Sequence, residues 1–186
     1  MRNIKEIIRV GVILFVITAI SSLLLAYANS ITSPIIEENT RIKTEQSMKT
    51  VLSTADSFEK VEVDMDGITE VYSGMSNNEL KGVCIISEVN GYGGAIKVIT
   101  AVDTDKKVTG IDILTHSETP GLGAKAVSPE FKEQFAGKEY GITVVKNTAK
   151  DNEIQAISGA TITSNAVTEA VNISLSAADD IYKQLN

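Results

Sequence analysis

Residues 94–115 read GAIKVITAVDTDKKVTGIDILT. Two runs rich in Val, Ile and Thr flank the polar turn signal from Asp103 to Asp105, the pattern of two strands joined by a tight connection. Within the first run Ile96, Val98, Thr100 and Val102 alternate with Lys97 and its neighbours, the period of a half-buried strand. Working outward, the same texture recurs as FEKVEV at 58–63, TEVYSG at 69–74 and LKGVCIISE at 80–88. Asp66-Gly67, Ser76-Asn77-Asn78 and Asn90-Gly91 punctuate these runs. Five short runs with short polar connections predict an antiparallel meander over 58–115. Cys84 lies inside an apolar run and reads as a buried structural thiol.

Helical patterns lie on both sides of the meander. Val167, Val171, Leu175, Ala178, Ile181 and Leu185 recur at spacings of three and four, predicting a helix over 164–185 with Ser164 as its N-cap. Ser128-Pro129-Glu130 opens a short helix over 129–135, and ITVVK at 142–146 and IQAI at 154–157 read as brief strands. A further helix is predicted over 32–53, with Ser33 as cap, Pro34 at the first helical position and Glu37 and Glu38 near the positive end of its dipole. Ile35, Ile42, Met48, Val51 and Leu52 form a loose apolar stripe on it. There is no internal repeat.

The head of the chain is a different physical object. From Val10 to Ala28 it reads VGVILFVITAISSLLLAYA, and no charge occurs between Arg9 and Glu37. A helix of ~20 apolar residues crosses a bilayer core and satisfies its own backbone there. Ala26-Tyr27-Ala28 also has the small-residue pattern of a signal cleavage site, but the uncharged run is long for a signal core, so a retained anchor is expected. Arg2, Lys5 and Arg9 precede the span, which predicts a cytoplasmic N-terminus and a body on the far side of the membrane. The expected organisation is a cytoplasmic segment 1–9, a transmembrane helix 10–28, a juxtamembrane helical linker 29–57 and a domain 58–186. The fold class is α+β: an N-terminal transmembrane helix followed by an antiparallel β-sheet domain flanked by helices.

Composition excludes several functions. The 186 residues include one His and one Cys, so a three-histidine zinc site and an all-cysteine cage are impossible within the chain. A net charge of −7 argues against nucleic acid as a partner. No catalytic residue and no metal site are expected.

Two segments carry more chemistry than ordinary connections need. His116-Ser117-Glu118-Thr119-Pro120-Gly121-Leu122-Gly123-Ala124-Lys125 follows the fifth run. Pro120-Gly121 forces a turn with Gly121 at positive φ, and Gly123 removes a second side chain. This is either a plain strand-to-helix connector or a loop letting backbone approach a flat ligand, with Glu118, Thr119 and Lys125 as polar handles and Leu122 against a ring face. Ser158-Gly159-Ala160-Thr161-Ile162-Thr163-Ser164 packs four hydroxyls and a glycine ahead of the last helix. One hydroxyl is enough for a cap; four at a helix N-terminus, where free N–H groups favour an anion, also suit a phosphate. Neither the P-loop pattern nor the GxGxxG fingerprint is present.

Ser158-Gly159-Ala160-Thr161 with Ile162-Thr163-Ser164 resembles the flavinylation motif of an FMN-binding domain family. That family is shared by the G component of the Rnf complex and the C component of the sodium-pumping NADH:quinone reductase. Glu118-Thr119-Pro120-Gly121-Leu122-Gly123 matches the other hallmark of that family, and Gly91-Tyr92-Gly93-Gly94 resembles a third block. The resemblance covers nearly the whole chain, and the single span before a body of this size favours the Rnf component. It implies FMN bound covalently as a phosphoester of Thr161, with Ser158, Gly159, Ala160, Thr163, Ser164, Glu118, Thr119, Gly121, Leu122, Gly123, Lys125 and Tyr92 around the cofactor. It also implies a flavin transferase for maturation. The partners implied are the other membrane and iron–sulfur subunits of a complex coupling electron transfer between ferredoxin and NAD to ion export. Two rivals remain: the C component of the quinone-reducing pump, and a non-enzymatic anchored assembly protein.

Overall fold

A computed structural model describes residues 4–185. The chain forms two compact units, Met1–Ile42 and Lys43–Asn186. One unbroken helix, α1 (Ile4–Val51), runs through the first and enters the second.

The first unit is long and apolar enough to cross a membrane, and its large side chains, including Leu14, Phe15, Leu23 and Leu25, are exposed. The break expected before Ser33 does not occur, and Ser33 is not a cap: Pro34 sits inside α1. Proline removes from the ladder the N–H that would bond the Ser30 carbonyl, while hydroxyls just ahead of it add bonds to neighbouring carbonyls. Thr32 Oγ1 donates to the Ala28 carbonyl at 2.7 Å and Ser30 Oγ to that of Tyr27 at 2.8 Å.

The second unit is built on a five-stranded sheet. Its strands are β1 (Ser57–Val61), β2 (Ile68–Ser76), β3 (Glu79–Asn90), β4 (Ala95–Asp103) and β5 (Val108–Thr115), in spatial order 1-2-3-4-5 and antiparallel throughout. The β2–β3 turn holds Asn77 and Asn78 at φ 52° and 61°, the left-handed pair that closes a two-residue hairpin with matching twist.

The sheet is covered on both faces. Val83, Ile85, Val98, Val102 and Ile113 face a core completed by Val167, Val171 and Ile181 of the C-terminal helix and by Phe131 and Phe135. The alternate residues Cys84, Ile86, Ile99, Ala101 and Leu114 pack on Met48, Val51 and Leu52. Each large aliphatic side chain fully buried in this way contributes about 1.5–3 kcal/mol. From Val98 to Val102 every residue of β4 is therefore buried, not only alternate ones as its period suggested. The last turns of α1 supply the cover, so the compact unit begins at Lys43 and takes in residues that the sequence reading assigned to a linker. Of the expected stripe on this helix, Met48, Val51 and Leu52 are buried, whereas Ile35 and Ile42 are exposed. Cys84 is buried, and desolvation pushes its thiol up to about 12.

After β5 the chain makes a 3-10 turn (Gly123–Val127) and a short helix α2 (Pro129–Lys132), which continues as a 3-10 turn to Phe135. The rings of Phe131 and Phe135 meet edge to face, 5.5 Å between centroids. Strands β6 (Thr143–Val145) and β7 (Glu153–Gln155) form a separate parallel pair. The last helix, α3 (Thr161–Leu185), begins three residues ahead of the expected Ser164.

Candidate functional site

The antiparallel order brings three connections to one edge of the sheet. Asn90 pairs with Ala95, and Lys97 with Thr115, so the turn at 91–94 and the segment leaving β5 lie side by side. The loop entering α3 joins them through the packing of α3 on β3 and β4.

Glu118 stands where the three meet. It is 6% exposed. Its Oε1 accepts the Gly93 N–H at 2.9 Å and its Oε2 accepts the Thr163 hydroxyl at 2.5 Å. Burial favours the neutral acid, but the hydrogen bonds from Thr163 and from the Gly93 and Tyr92 backbone, with His116 close by, outweigh it and hold the carboxyl below its ordinary value. Glycines crowd this carboxylate. A Cβ on Gly123 would lie 2.4 Å from Glu118 Oε2 and 2.6 Å from Thr163 Oγ1, and one on Gly91 would lie 2.4 Å from Oε1. A Cβ on Gly93 would meet the Ser117 carbonyl at 2.1 Å. Gly123 is thus required by the packing of the chain on itself. Gly121 has open space around it and a φ of 79°, as its turn demands.

Beside this strut lies an open cleft of about 610 Å³, lined by Tyr92, Glu118, Thr119, Leu122, Gly123 and the segment from Gly159 to Thr163. Tyr92, Leu122 and Ile162 are large apolar residues left exposed at 71%, 46% and 56%. They give the cleft an apolar rim, and Leu122 Cδ2 comes within 3.2 Å of where a Cβ on Gly159 would stand.

The four hydroxyls divide sharply. Ser164 is buried, accepts the Ile157 N–H at 2.9 Å and donates to the Ala160 carbonyl at 3.0 Å. It stands inside the helix and is not the N-cap; Ala160 is, its carbonyl accepting the first helical bond from the Ser164 N–H. Thr163 is 1% exposed and its hydroxyl is given to Glu118. Ser158 is exposed and does not line the cleft. Thr161, the first residue of α3, lines the cleft half-buried. Beside it the N–H groups of Thr161, Ile162 and Thr163 precede the first helical bond, a cradle for an anion.

Of the residues expected at the site, the cleft gathers Tyr92, Glu118, Thr119, Leu122, Gly123, Gly159, Ala160, Thr161 and Thr163, and leaves out Ser158, Ser164, Gly121 and Lys125. Lys125 faces a second cleft, with Ser128, Phe131 and Gln134. Ile162 belongs to the lining and was not expected; an apolar residue in the polar first turn of an amphipathic helix was the signal for it.

Residues 91–176 match the family model of the FMN-binding domain, and residues 1–51 that of the RnfG N-terminal region. The chain is 40% identical to the G component of the Na(+)-translocating ferredoxin:NAD(+) oxidoreductase complex of Acetobacterium woodii, over 96% of this chain and 95% of that one. It is 35% identical to the G component of the ion-translocating oxidoreductase complex of Methanosarcina acetivorans, over 99% of both chains. Among solved structures it resembles the C component of the Na(+)-translocating NADH-quinone reductase from Parabacteroides distasonis. That likeness has a TM-score of 0.57 at 23% identity and covers 76% of this chain and 92% of that one. An FMN suits the residues present: a cleft within the usual 300–1,000 Å³ of ligand sites, an apolar rim for a flat ring, and unpaired helix N–H groups for a phosphate. The chain belongs to the RnfG family of ion-translocating oxidoreductase complexes, with an FMN-binding domain carried behind an N-terminal helix able to span a membrane.

Proposed function

We propose that this chain is a membrane-anchored flavoprotein that holds FMN covalently, as a phosphoester of Thr161, and relays electrons within a complex coupling ferredoxin:NAD electron transfer to ion export. The observation that carries the reading is the division of hydroxyls at the start of α3. Ser164 and Thr163 are committed to partners within the chain, whereas Thr161 borders the cleft.

In this reading FMN supplies reversible one- and two-electron chemistry, and the protein supplies position and electrostatics. The N–H groups of the first turn of α3 and its dipole hold the phosphodiester, which keeps one negative charge. Tyr92, Leu122 and Ile162 cover the ring and exclude water from its faces. Thr119 lines the cleft as a polar residue able to meet the ring, whereas each oxygen of Glu118 already accepts a hydrogen bond from within the chain. A covalent bond also keeps the flavin from diffusing away in a compartment outside the cytoplasm, the side that Arg2, Lys5 and Arg9 assign to the body. The partners are the other membrane and iron–sulfur subunits and, during maturation, a flavin transferase.

The test is the intact mass of the full chain produced with and without a flavin transferase. A gain of one FMN less one water supports the reading; an unchanged mass with flavin that leaves on denaturation contradicts covalent attachment.

A further inference from the structure

Glu118 is an unusual strut. A buried carboxylate is costly to desolvate, and an amide or a hydroxyl can bridge two segments at less cost. Here both oxygens are occupied by donors of the chain itself, from the turn at 91–94 on one side and from the first turn of α3 on the other. Its own N–H donates to His116 Nδ1 at 3.2 Å, which fixes the backbone of the third segment. The negative charge sits at the positive end of α3, where the helix dipole favours it. Gly91 and Gly123 pack on Glu118, and Gly93 on the neighbouring Ser117, with no room for a side chain, so the three segments are closely packed around the carboxylate.

We infer that Glu118 is a positioning residue for flavin attachment: by holding Thr163 and Gly93 it withdraws the Thr163 hydroxyl from the cleft and sets the first turn of α3 so that the Thr161 hydroxyl is the one presented to the phosphate. The inference rests on the attachment at Thr161 proposed above. In that step Thr161 Oγ1 attacks the flavin-side phosphorus of a flavin dinucleotide. The O–P bond to Thr161 forms, the pyrophosphate P–O bond breaks, nucleoside monophosphate leaves and the hydroxyl proton passes to a general base of the transferase. An in-line attack of this kind is sensitive to displacements of about 1 Å, which can cost about 100-fold in rate.

The experiment follows initial flavinylation rates of the full chain in detergent with purified transferase and flavin adenine dinucleotide, reading in-gel fluorescence and mapping the modified peptide. Glu118→Ala and Thr163→Val are expected to slow attachment at Thr161 by roughly 10- to 100-fold. Glu118→Gln and Thr163→Ser are expected to restore most of the rate, since an amide or a serine hydroxyl can close the same bridge. Glu118→Ala with Thr163→Val is expected to be no slower than the slower single variant, because each already removes the Glu118–Thr163 bond. Thermal melts report folding, and should Glu118→Ala not fold, the Thr163→Val and Thr163→Ser pair decides. Wild-type rates in Thr163→Val, or no recovery in Thr163→Ser, overturn the positioning role while leaving covalent flavin intact. A wild-type chain that takes no flavin at all overturns the attachment itself, and the positioning role with it.

Discussion

The hydroxyl of Ser47, on the last turns of α1, donates to Asp112 Oδ2 on β5 at 2.7 Å. The other carboxylate oxygen of Asp112 accepts from Lys132 Nζ at 2.8 Å, and Lys43 Nζ donates to the Ile113 carbonyl at 2.9 Å. Two polar contacts from α1 and one from α2 thus converge on β5 a few residues before the segment that holds Glu118. Asp112 is half-buried, which opposes its charge, but Lys132, Ser47 and the Ile113 N–H prevail and lower its carboxyl from the ordinary value.

Acid sensitivity follows from that direction. A carboxyl lowered in the folded state adds stability above the unfolded value of about 3.9, and that stability is lost as pH falls through the folded value. Glu118 acts with the same sign. The melting temperature of the wild-type body is expected to fall steeply below about pH 4, and Asp112→Asn should flatten part of that fall. Parallel melting curves for the two proteins from pH 6 to pH 3 would show that Asp112 is not among the groups responsible.

Thr100 gives a prediction of opposite sign. It is fully buried on β4, and its Oγ1 has no hydrogen-bond partner among the described residues. Valine has the same shape without the stranded hydroxyl. Thr100→Val is expected to stabilise the protein by about 1 kcal/mol, raising the melting temperature by about 3 °C. A decrease would place an unseen donor or acceptor at that hydroxyl.

The two glycines of the 118–123 segment should part company. Gly123→Ala drives a methyl against Glu118 and Thr163 and is expected to cost about 1–3 kcal/mol and to lower flavin loading. Gly121→Ala meets open space and carries only the strain of a left-handed φ, about 1 kcal/mol, with loading retained. Unchanged loading at both positions would return the segment to a plain connector.

Much of this was legible beforehand because strand periods and turn chemistry are local. Asn77-Asn78 and Pro120-Gly121 announce their turns wherever they occur, and the five runs lie within a few residues of β1–β5. What local pattern could not show was tertiary. The continuity of α1 through Pro34 is one case, since Ser33-Pro34 has the composition of a helix start. The burial of both faces of β4 depends on α1 returning to cover one of them. Ser164 has the composition of a cap but is buried within the helix, where it satisfies Ile157 and Ala160. Gly123 was read as room for a ligand; it lines the cleft, and the same missing side chain makes room for Glu118 and Thr163. Residue types at the site were readable, whereas their partners were not, since Glu118 and Thr163 stand 45 positions apart.

Topology can be checked separately from the flavin. The basic residues Arg2, Lys5 and Arg9 ahead of the uncharged span predict that a reporter fused after Asn186 is active only when exported. A fusion active in the cytoplasm would invert the assignment and remove the argument that covalent attachment prevents loss of flavin.

The central claim is the identity of the flavin-bearing hydroxyl. The direct measurement is ultraviolet fluorescence of denaturing gels, with intact mass, for Thr161→Ala and Thr163→Ala matured to completion with a flavin transferase. Thr161→Ala is expected to fold, because a half-exposed hydroxyl contributes little stability, and to show neither fluorescence nor added mass. Thr163→Ala, slowed but still holding the Thr161 hydroxyl, is expected to reach the mass of one FMN less one water. A fluorescent Thr161→Ala beside a dark Thr163→Ala would contradict the account.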